Sequence, residues 1–248
     1  MHFVEIGERR YAQFDRLRHE TGLVHAFCTR PMNVSPSSDP TGADCRRTMA
    51  ADWGLDAAGL RYCEQVHGTN LAIIDLPAAG GLLPRCDGVV TALARTPLMT
   101  FSADCPLVLA YDPARYVLGM VHASWRCTVA RATCRLIGLM TARFGSRPAE
   151  LLAGIGPGAG PCCYEVQHDV FDAASGLTEH ERLFQHRDGR MYFDLWEANR
   201  AQLAEAGVPL YQVETAGVCT ICSDGVFYSY RREGTGCGHF GLLAALTP

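Results

Sequence analysis

The stretch "FSADCPLVLAYDPARYVLGMVHASWRC", Phe101 to Cys127, settles the architecture around it. Two apolar runs, "PLVLAYD" and "RYVLGMVH", flank "DPAR" at Asp112–Arg115. Pro113 is preset for the second position of a turn, so the runs read as an antiparallel hairpin. The second strand ends at His122 and feeds a helix over about Trp125–Phe144. There Ala130, Thr133, Cys134, Ile137, Met140 and Phe144 recur at steps of three and four and form one apolar face. Arg143 falls in its last turn, and Gly145 can end it.

The neighbouring segments extend the pattern. "NLAIIDL", "DGVVTAL" and "LMTFSADC" are short, apolar and partly β-branched, which predicts strands. "HAFCTR" predicts a strand ending at Arg30. The Pro-, Ser-, Asp- and Gly-rich stretch from Arg30 to Cys45 predicts a surface loop. "DLWEANRAQLAEAG" predicts a helix, with Asp194 as N-cap, Glu197 three residues on and Gly207 as the stop. "GVFYSYRR" alternates like a half-buried strand. The expectation is an α+β chain, one domain over residues 1–248. Its form is an α/β sandwich with a central, mostly antiparallel or mixed sheet flanked by helices.

Composition narrows the function. The chain has 248 residues, 48% hydrophobic and 19% charged, as a packed globular protein requires and disorder does not allow. A net charge of −4 gives no broad basic face, which argues against nucleic acid as a partner. The N-terminus lacks a signal-peptide core, and no apolar run approaches a membrane span. A cytoplasmic protein is expected, in which twelve scattered cysteines are thiols rather than a disulfide framework.

Three segments carry chemistry: "EQVHGTN" with His67, "SADCPL" with Cys105, and "VHASWR" with His122. Each candidate ends an apolar run beside a Gly, a Pro or a helix start. Two histidines and one thiolate suit zinc with an open fourth position, which would lower the pKa of bound water to about 7. The spacings of 38 and 17 residues match no local metal motif, so separate core residues are the plainer reading of each side chain. A metal-free reading makes Cys105 a nucleophile and His122 its base. In either version the helix opening after His122 favours an anion nearby.

Taken in order, "QVHG", "ADCPLVL", "VHASWR", "GIGPGAGPCCYEV", "FDLWEANRAQL" and "CT…FYSYRREG" resemble the zinc-dependent purine nucleoside phosphorylase family. That family was formerly called polyphenol oxidase or laccase-domain protein and includes the peptidoglycan editing factor. The resemblance spans about Phe27 to Gly236. It implies a metal site at His67, Cys105 and His122, a fold shared with cysteine-hydrolase toxins, and phosphorolysis of adenosine, inosine, guanosine and methylthioadenosine. Adenosine deamination at the same site is implied too. The expected partners are thus a purine nucleoside and phosphate. Two alternatives remain: a metal-free Cys–His hydrolase or editor of a peptidoglycan precursor, and a catalytically impaired metal- or nucleoside-binding protein. Copper is disfavoured, because a multicopper site needs more clustered histidines than nine dispersed ones provide.

Other residues complete the expectation. Arg30 and Arg231 are candidates to hold phosphate, and Gln65 to hold ribose or base. Arg232 neighbours Arg231, and on a strand only one of the two would face the site. Asp104 is a candidate to orient a histidine, or else a turn residue before Pro106. Glu165 is a candidate acid, base or arginine partner, and Trp125 would stack on a base or pack its helix. Cys219 and Cys222, with Cys237 and His239 following, have the order of a structural zinc site that chance also produces. Adjacent Cys162 and Cys163 read as packing residues. The chain departs from the family where "HASWRC" replaces "HAGWRG", putting Ser124 and Cys127 in place of glycines. Cys237 likewise stands where an arginine is expected, and the loop after Arg30 lacks paired glycines. These departures leave the metal ligands intact and bear on the substrate pocket.

Overall fold

The structure is a computed structural model and describes residues 1–36, 40–223 and 225–247. Residues 37–39 of the loop expected after Arg30 lie outside the described residues. In chain order the strands are β1 (His2–Ile6), β2 (Arg9–Gln13), β3 (Leu23–Cys28), β4 (Arg61–Cys63), β5 (Leu71–Ile74), β6 (Gly81–Leu83), β7 (Gly88–Thr91) and β8 (Leu98–Ser102). They continue with β9 (Leu107–Asp112), β10 (Val117–His122), β11 (Leu152–Ile155), β12 (Glu165–Val166), β13 (Phe184–Arg187), β14 (Arg190–Phe193), β15 (Val213–Thr215) and β16 (Phe240–Leu246). The helices are α1 (Pro40–Asp52), α2 (Trp125–Val129), α3 (Ala132–Phe144), α4 (His168–Ala173), α5 (Leu195–Glu205) and α6 (Tyr230–Glu233).

One sheet runs β1-β2-β3-β16-β8-β4-β6, a second β15-β11-β9-β10-β7-β5, and a small third β12-β14-β13. Most neighbours are antiparallel; β4 runs parallel to β6 and β8, β5 to β7, and β11 to β15. The expected hairpin is β9–β10, in register from Val117↔Asp112 to His122↔Leu107. Asp112 Oδ1 closes its turn by accepting the N–H groups of Ala114 and Arg115, both at 3.0 Å.

Alternation along the hairpin assigns its two faces. Leu107, Leu109, Tyr111, Leu118 and Met120 enter the core shared with β3, β8 and β16. Val108, Ala110, Val117 and Val121 meet Leu136, Ile137 and Met140 of α3. The α/β sandwich is therefore present, with two facing sheets as its centre and helices over the outer face of the second. A Cβ on Gly119 would come within 2.9 Å of Leu136 and Met140, so glycine lets α3 cross β10 closely.

Three local differences have physical causes. The helix expected over Trp125–Phe144 is two helices, because Arg131 is left-handed at φ 61°. The Thr128 carbonyl, which a continuous helix would offer to Ala132, instead accepts the Gln202 side chain at 2.7 Å and the Arg131 N–H at 2.9 Å. The segment "GVFYSYRR" is not a strand: Ser229 caps α6 through Arg232 N–H at 3.2 Å, and Glu233 reaches back to Ser229 N–H at 3.1 Å. Helix α1 begins at Pro40, inside the stretch expected to be loop. Asp194 does cap α5, accepting Glu197 N–H at 2.9 Å. Among the described residues no helix is long and apolar enough to cross a membrane.

Candidate metal centre and its cavity

His122 ends β10, and its neighbour Val121 pairs with Gly88 of β7. The next rung of that ladder is Asp87 against His122: the His122 N–H meets the Asp87 carbonyl at 2.7 Å, and His122 Nδ1 meets Asp87 Oδ1 at 3.0 Å. The same buried carboxylate accepts three consecutive N–H groups, from Val66 at 3.2 Å, His67 at 2.9 Å and Gly68 at 2.7 Å. They converge because His67 is left-handed, with φ 57°, which makes an anion-holding nest of the loop after β4. Burial pushes the Asp87 carboxyl up, but His122 and these N–H groups more than offset it and hold it below its ordinary range. Partial burial, and then the nearness of His122, hold His67 below its ordinary value, which favours the neutral ring a metal needs.

Cys105 lies in the turn between β8 and β9, at the sheet edge where β10 ends. The donor atoms of His67, Cys105 and His122 all lie within 4.8 Å of one another. The two imidazole rings meet edge to face at 85°. With Nδ1 of His122 on Asp87, its Nε2 is the free nitrogen, as in a carboxylate–histidine–metal arrangement. The order Cys105–His122–Asp87 also resembles a nucleophilic triad. Burial, however, pushes the Cys105 thiol up, the reverse of what an activated nucleophile shows. A cation that displaces the thiol proton suits this donor set better.

The three side chains open onto a cavity of about 500 Å³, lined also by Trp125, Arg126, Tyr164 and Arg231. Arg231 lies over the Tyr164 ring at 5.2 Å and donates to the Glu165 carbonyl at 2.8 Å. Arg126 lies over Trp125 at 4.3 Å. The cavity thus joins a metal-type donor set, two guanidinium groups and two aromatic faces.

The remaining candidates are distributed as follows. Gln65 lines the cavity, but both ends of its amide bond the Phe101 backbone, at 2.9 and 2.8 Å. Arg30 is not among the lining residues; it pairs with Glu233 at 2.8 Å and lies over Tyr228. Asp104, at φ 111°, accepts from Thr220 Oγ1 at 2.6 Å and from the Arg231 N–H at 2.7 Å, so its carboxylate is not on a histidine. The Glu165 carboxylate faces Arg190 at 3.3 Å. Arg232 bonds carbonyls of Thr220 and Phe227. Sequence reasoning passed over Asp87, Arg126 and Tyr164, and placed His239 with Cys219 and Cys222 rather than at this cavity. Asp87 had a signal, an acid just before the strand of "CDGVV".

Ser124 caps α2, accepting Cys127 N–H at 3.3 Å and donating to Cys127 Sγ at 2.9 Å. Cys237 and His239 line the cavity and are not grouped with Cys219 and Cys222. The sulfurs of Cys162 and Cys163 are: all four lie within 4.8 Å of one another.

Residues 32–247 match the family described as multi-copper polyphenol oxidoreductase laccase. A purine nucleoside phosphorylase of Deinococcus radiodurans is 36% identical over 90% of this chain and 89% of its own. The purine nucleoside phosphorylase YlmD of Geobacillus stearothermophilus is 30% identical over 84% of this chain and 80% of its own. The adenosine deaminase RL5 of an unknown prokaryotic organism is 29% identical over 79% and 78%. Among solved structures, Bacillus licheniformis YfiH superposes with a TM-score of 0.89 over 99% of both chains at 24% identity. YlmD of G. stearothermophilus superposes at 0.84 over 92% of this chain and 93% of its own, at 26% identity.

Proposed function

The chain belongs to the multi-copper polyphenol oxidoreductase laccase family, and from that premise we propose that it is a zinc-dependent purine nucleoside phosphorylase. The observation that carries this reading is the placement of His67, Cys105 and His122 on one wall of a cavity that also presents Arg126, Arg231, Trp125 and Tyr164. Its volume falls in the range of small-molecule sites. Relatives named as phosphorylases and as a deaminase support a nucleoside substrate.

In phosphorolysis a phosphate oxygen bonds C1′, the bond from C1′ to the purine nitrogen breaks, and the base leaves with a proton. In deamination water attacks C6 and ammonia leaves. Methylthioadenosine would undergo the first reaction with an apolar 5′ group. His67, Cys105 and His122 would hold zinc, which when bound supplies charge and Lewis acidity toward the attacking oxygen. Asp87 keeps His122 in the tautomer with Nε2 free. Arg126 and Arg231 would hold phosphate oxygens, and Trp125 or Tyr164 would stack on the purine. Arg30, through Glu233, holds α6 and so places Arg231. Gln65 fixes the loop before His67 against β8, and Asp104 positions Arg231 from the far side. Glu165, whose carbonyl takes the Arg231 guanidinium, supports the same arginine. Zinc is preferred to copper because the cluster holds two histidines and one thiol, too few imidazoles for a multicopper centre.

The test is turnover of adenosine and inosine by protein of assayed zinc content, with and without phosphate, following base, inosine and ribose-1-phosphate. Phosphate-dependent base release that disappears in His67→Ala and Cys105→Ala is the expected result. Full activity after complete chelation would remove zinc from the reaction, and finding neither bound zinc nor turnover would replace this reading with the Cys–His hydrolase. Zinc bound at the cavity without turnover would leave only a binding protein.

A further inference from the structure

A second group of donors lies behind the Tyr164 side of the cavity. Cys162 and Cys163 sit between β11 and β12, and Cys219 and Cys222 between β15 and α6. The two segments are joined by a parallel bridge between Gly158 and Cys219. Its bonds are Gly158 N–H to Val218 O at 3.2 Å and Thr220 N–H to Gly158 O at 3.0 Å. Gly160 lets them close: a Cβ there would come within 2.6 Å of the Trp196 ring and 3.3 Å of Cys219 Cβ. We propose that Cys162, Cys163, Cys219 and Cys222 bind a second metal ion, zinc by ligand class, as a structural tetrathiolate site separate from the His67–Cys105–His122 centre.

Three observations carry this. First, the spacing is that of a coordination shell. With Zn–S near 2.3 Å, the edge of a regular ZnS₄ tetrahedron is about 3.8 Å. Cys162 and Cys222 sulfurs are 3.7 Å apart, and all four lie within 4.8 Å, so closure onto one ion needs at most about 1 Å of movement. Second, the donors are uniform. Four soft sulfurs, two of them in a Cys-x-x-Cys step, select zinc-class ions over calcium or magnesium. Third, the surroundings suit the two negative charges of such a complex. The Cys219 sulfur accepts the Gly160 N–H at 3.3 Å. The Arg187 guanidinium bonds the carbonyls of Pro161 and Cys162, and Arg232 bonds those of Thr220 and Ile221. Both ligand loops therefore carry a cation on their backbone. Cys162 and Cys222 are exposed, which gives an ion a path from solvent.

The placement gives the site a role. Tyr164 follows Cys163 and lines the cavity. Thr220 follows Cys219 and bonds Asp104, the neighbour of Cys105. An ion on the four sulfurs would clamp the two loops that form this wall, so its loss would loosen the cavity without removing a cavity ligand.

The test uses the full chain purified under reducing conditions, with zinc per chain measured by mass spectrometry. Cys105→Ala/His122→Ala, which removes the cavity centre, is expected to retain about one zinc, with X-ray absorption showing four sulfur neighbours near 2.3 Å. Cys162→Ser/Cys222→Ser is expected to bind one zinc fewer than wild type. A cavity-centre variant that folds but holds no zinc would overturn the proposal. So would nitrogen or oxygen neighbours around its zinc, or an intact mass showing these cysteines oxidised to disulfides in metal-free protein. If that variant does not fold, cobalt titration of wild type decides. Thiolate-to-cobalt absorption should fall by about four-fifths in Cys162→Ser/Cys222→Ser, since four of the five candidate sulfurs are here; an unchanged spectrum would refute the site. Zinc retained by Cys162→Ser/Cys222→Ser reports on the cavity centre separately, so the two readings fail independently.

Discussion

Asp87→Asn tests whether one carboxylate organises the centre. Oδ1 accepts from His67 N–H and His122 Nδ1, and Oδ2 from the N–H groups of Val66 and Gly68. An asparagine must put its NH₂ in place of one oxygen. At the Oδ2 position it faces two backbone donors, and two orphaned part-buried N–H groups cost at most about 2–6 kcal/mol. At the Oδ1 position it orphans the part-buried His67 N–H, at most about 1–3 kcal/mol, and the weak Cys127 thiol contact, but His122 Nδ1 must then become an acceptor. The imidazole proton moves to Nε2, the nitrogen left for a metal. The second arrangement is cheaper, so the main loss should fall on metal binding: about 10–100-fold, or 1.4–2.7 kcal/mol. Stability without metal should drop by about 1–3 kcal/mol. Zinc competition against a chromophoric chelator measures the first, and urea denaturation in excess chelator the second. Zinc affinity within threefold of wild type, with an unchanged denaturation midpoint, would refute the reasoning.

Buried His25 accepts the Phe14 N–H at 3.0 Å, and burial pushes its pKa down to about 3. The unfolded chain protonates it near pH 6.5, so stability present above that pH is lost as pH falls from about 6.5 toward 3, by up to ~1.4 kcal/mol per unit. Urea midpoints at pH 7, 6 and 5 should show this slope, and His25→Gln should flatten it; an unaltered slope would place the acid sensitivity elsewhere. Asn199 is fully buried and bonds Thr128, Thr133 and the Leu195 carbonyl, so Asn199→Ala should cost about 2–4 kcal/mol in urea denaturation. A loss under about 0.5 kcal/mol would show that the break between α2 and α3 does not depend on it. Arg126→Ala should raise the KM for phosphate at least about tenfold with zinc content unchanged, as loss of a charge-assisted contact implies. An unchanged KM would remove Arg126 from the anion site.

What was legible in the sequence was what short-range chemistry controls. The β9–β10 hairpin follows from Pro113 and Asp112 acting on the next three residues, and α5 from Asp194 acting on Glu197. What was not legible depends on distant partners. The α2–α3 break is made by Gln202, 74 residues from the Thr128 carbonyl it captures. Asp87 reaches His122 across 35 residues only because β7 and β10 pair in one register. The four-cysteine group spans 60 residues between Cys162 and Cys222. "GVFYSYRR" is a different case: Ser229 and Glu233 held a local capping signal, and the alternation of Phe227, Ser229 and Arg231 masked it.

The same register explains the departures in "HASWRC". Glycines at these positions suggest close approach of a ligand to the backbone, and side chains there would be expected to obstruct it. Ser124 borders the cavity, whereas Cys127 is not among its lining residues. Ser124 is 1% exposed and spends its hydroxyl on Cys127, and the fully buried Cys127 lies with its sulfur 3.8 Å from Asp87 Oδ1. The Cys127 sulfur therefore packs against the carboxylate that holds His122, and the Ser124 hydroxyl is tied to that sulfur. Their influence should run through Asp87 to the metal ligand rather than through the path of a substrate. Ser124→Gly/Cys127→Gly would then alter zinc affinity more than the KM for nucleoside. A change confined to KM would show that the hydroxyl does reach the substrate.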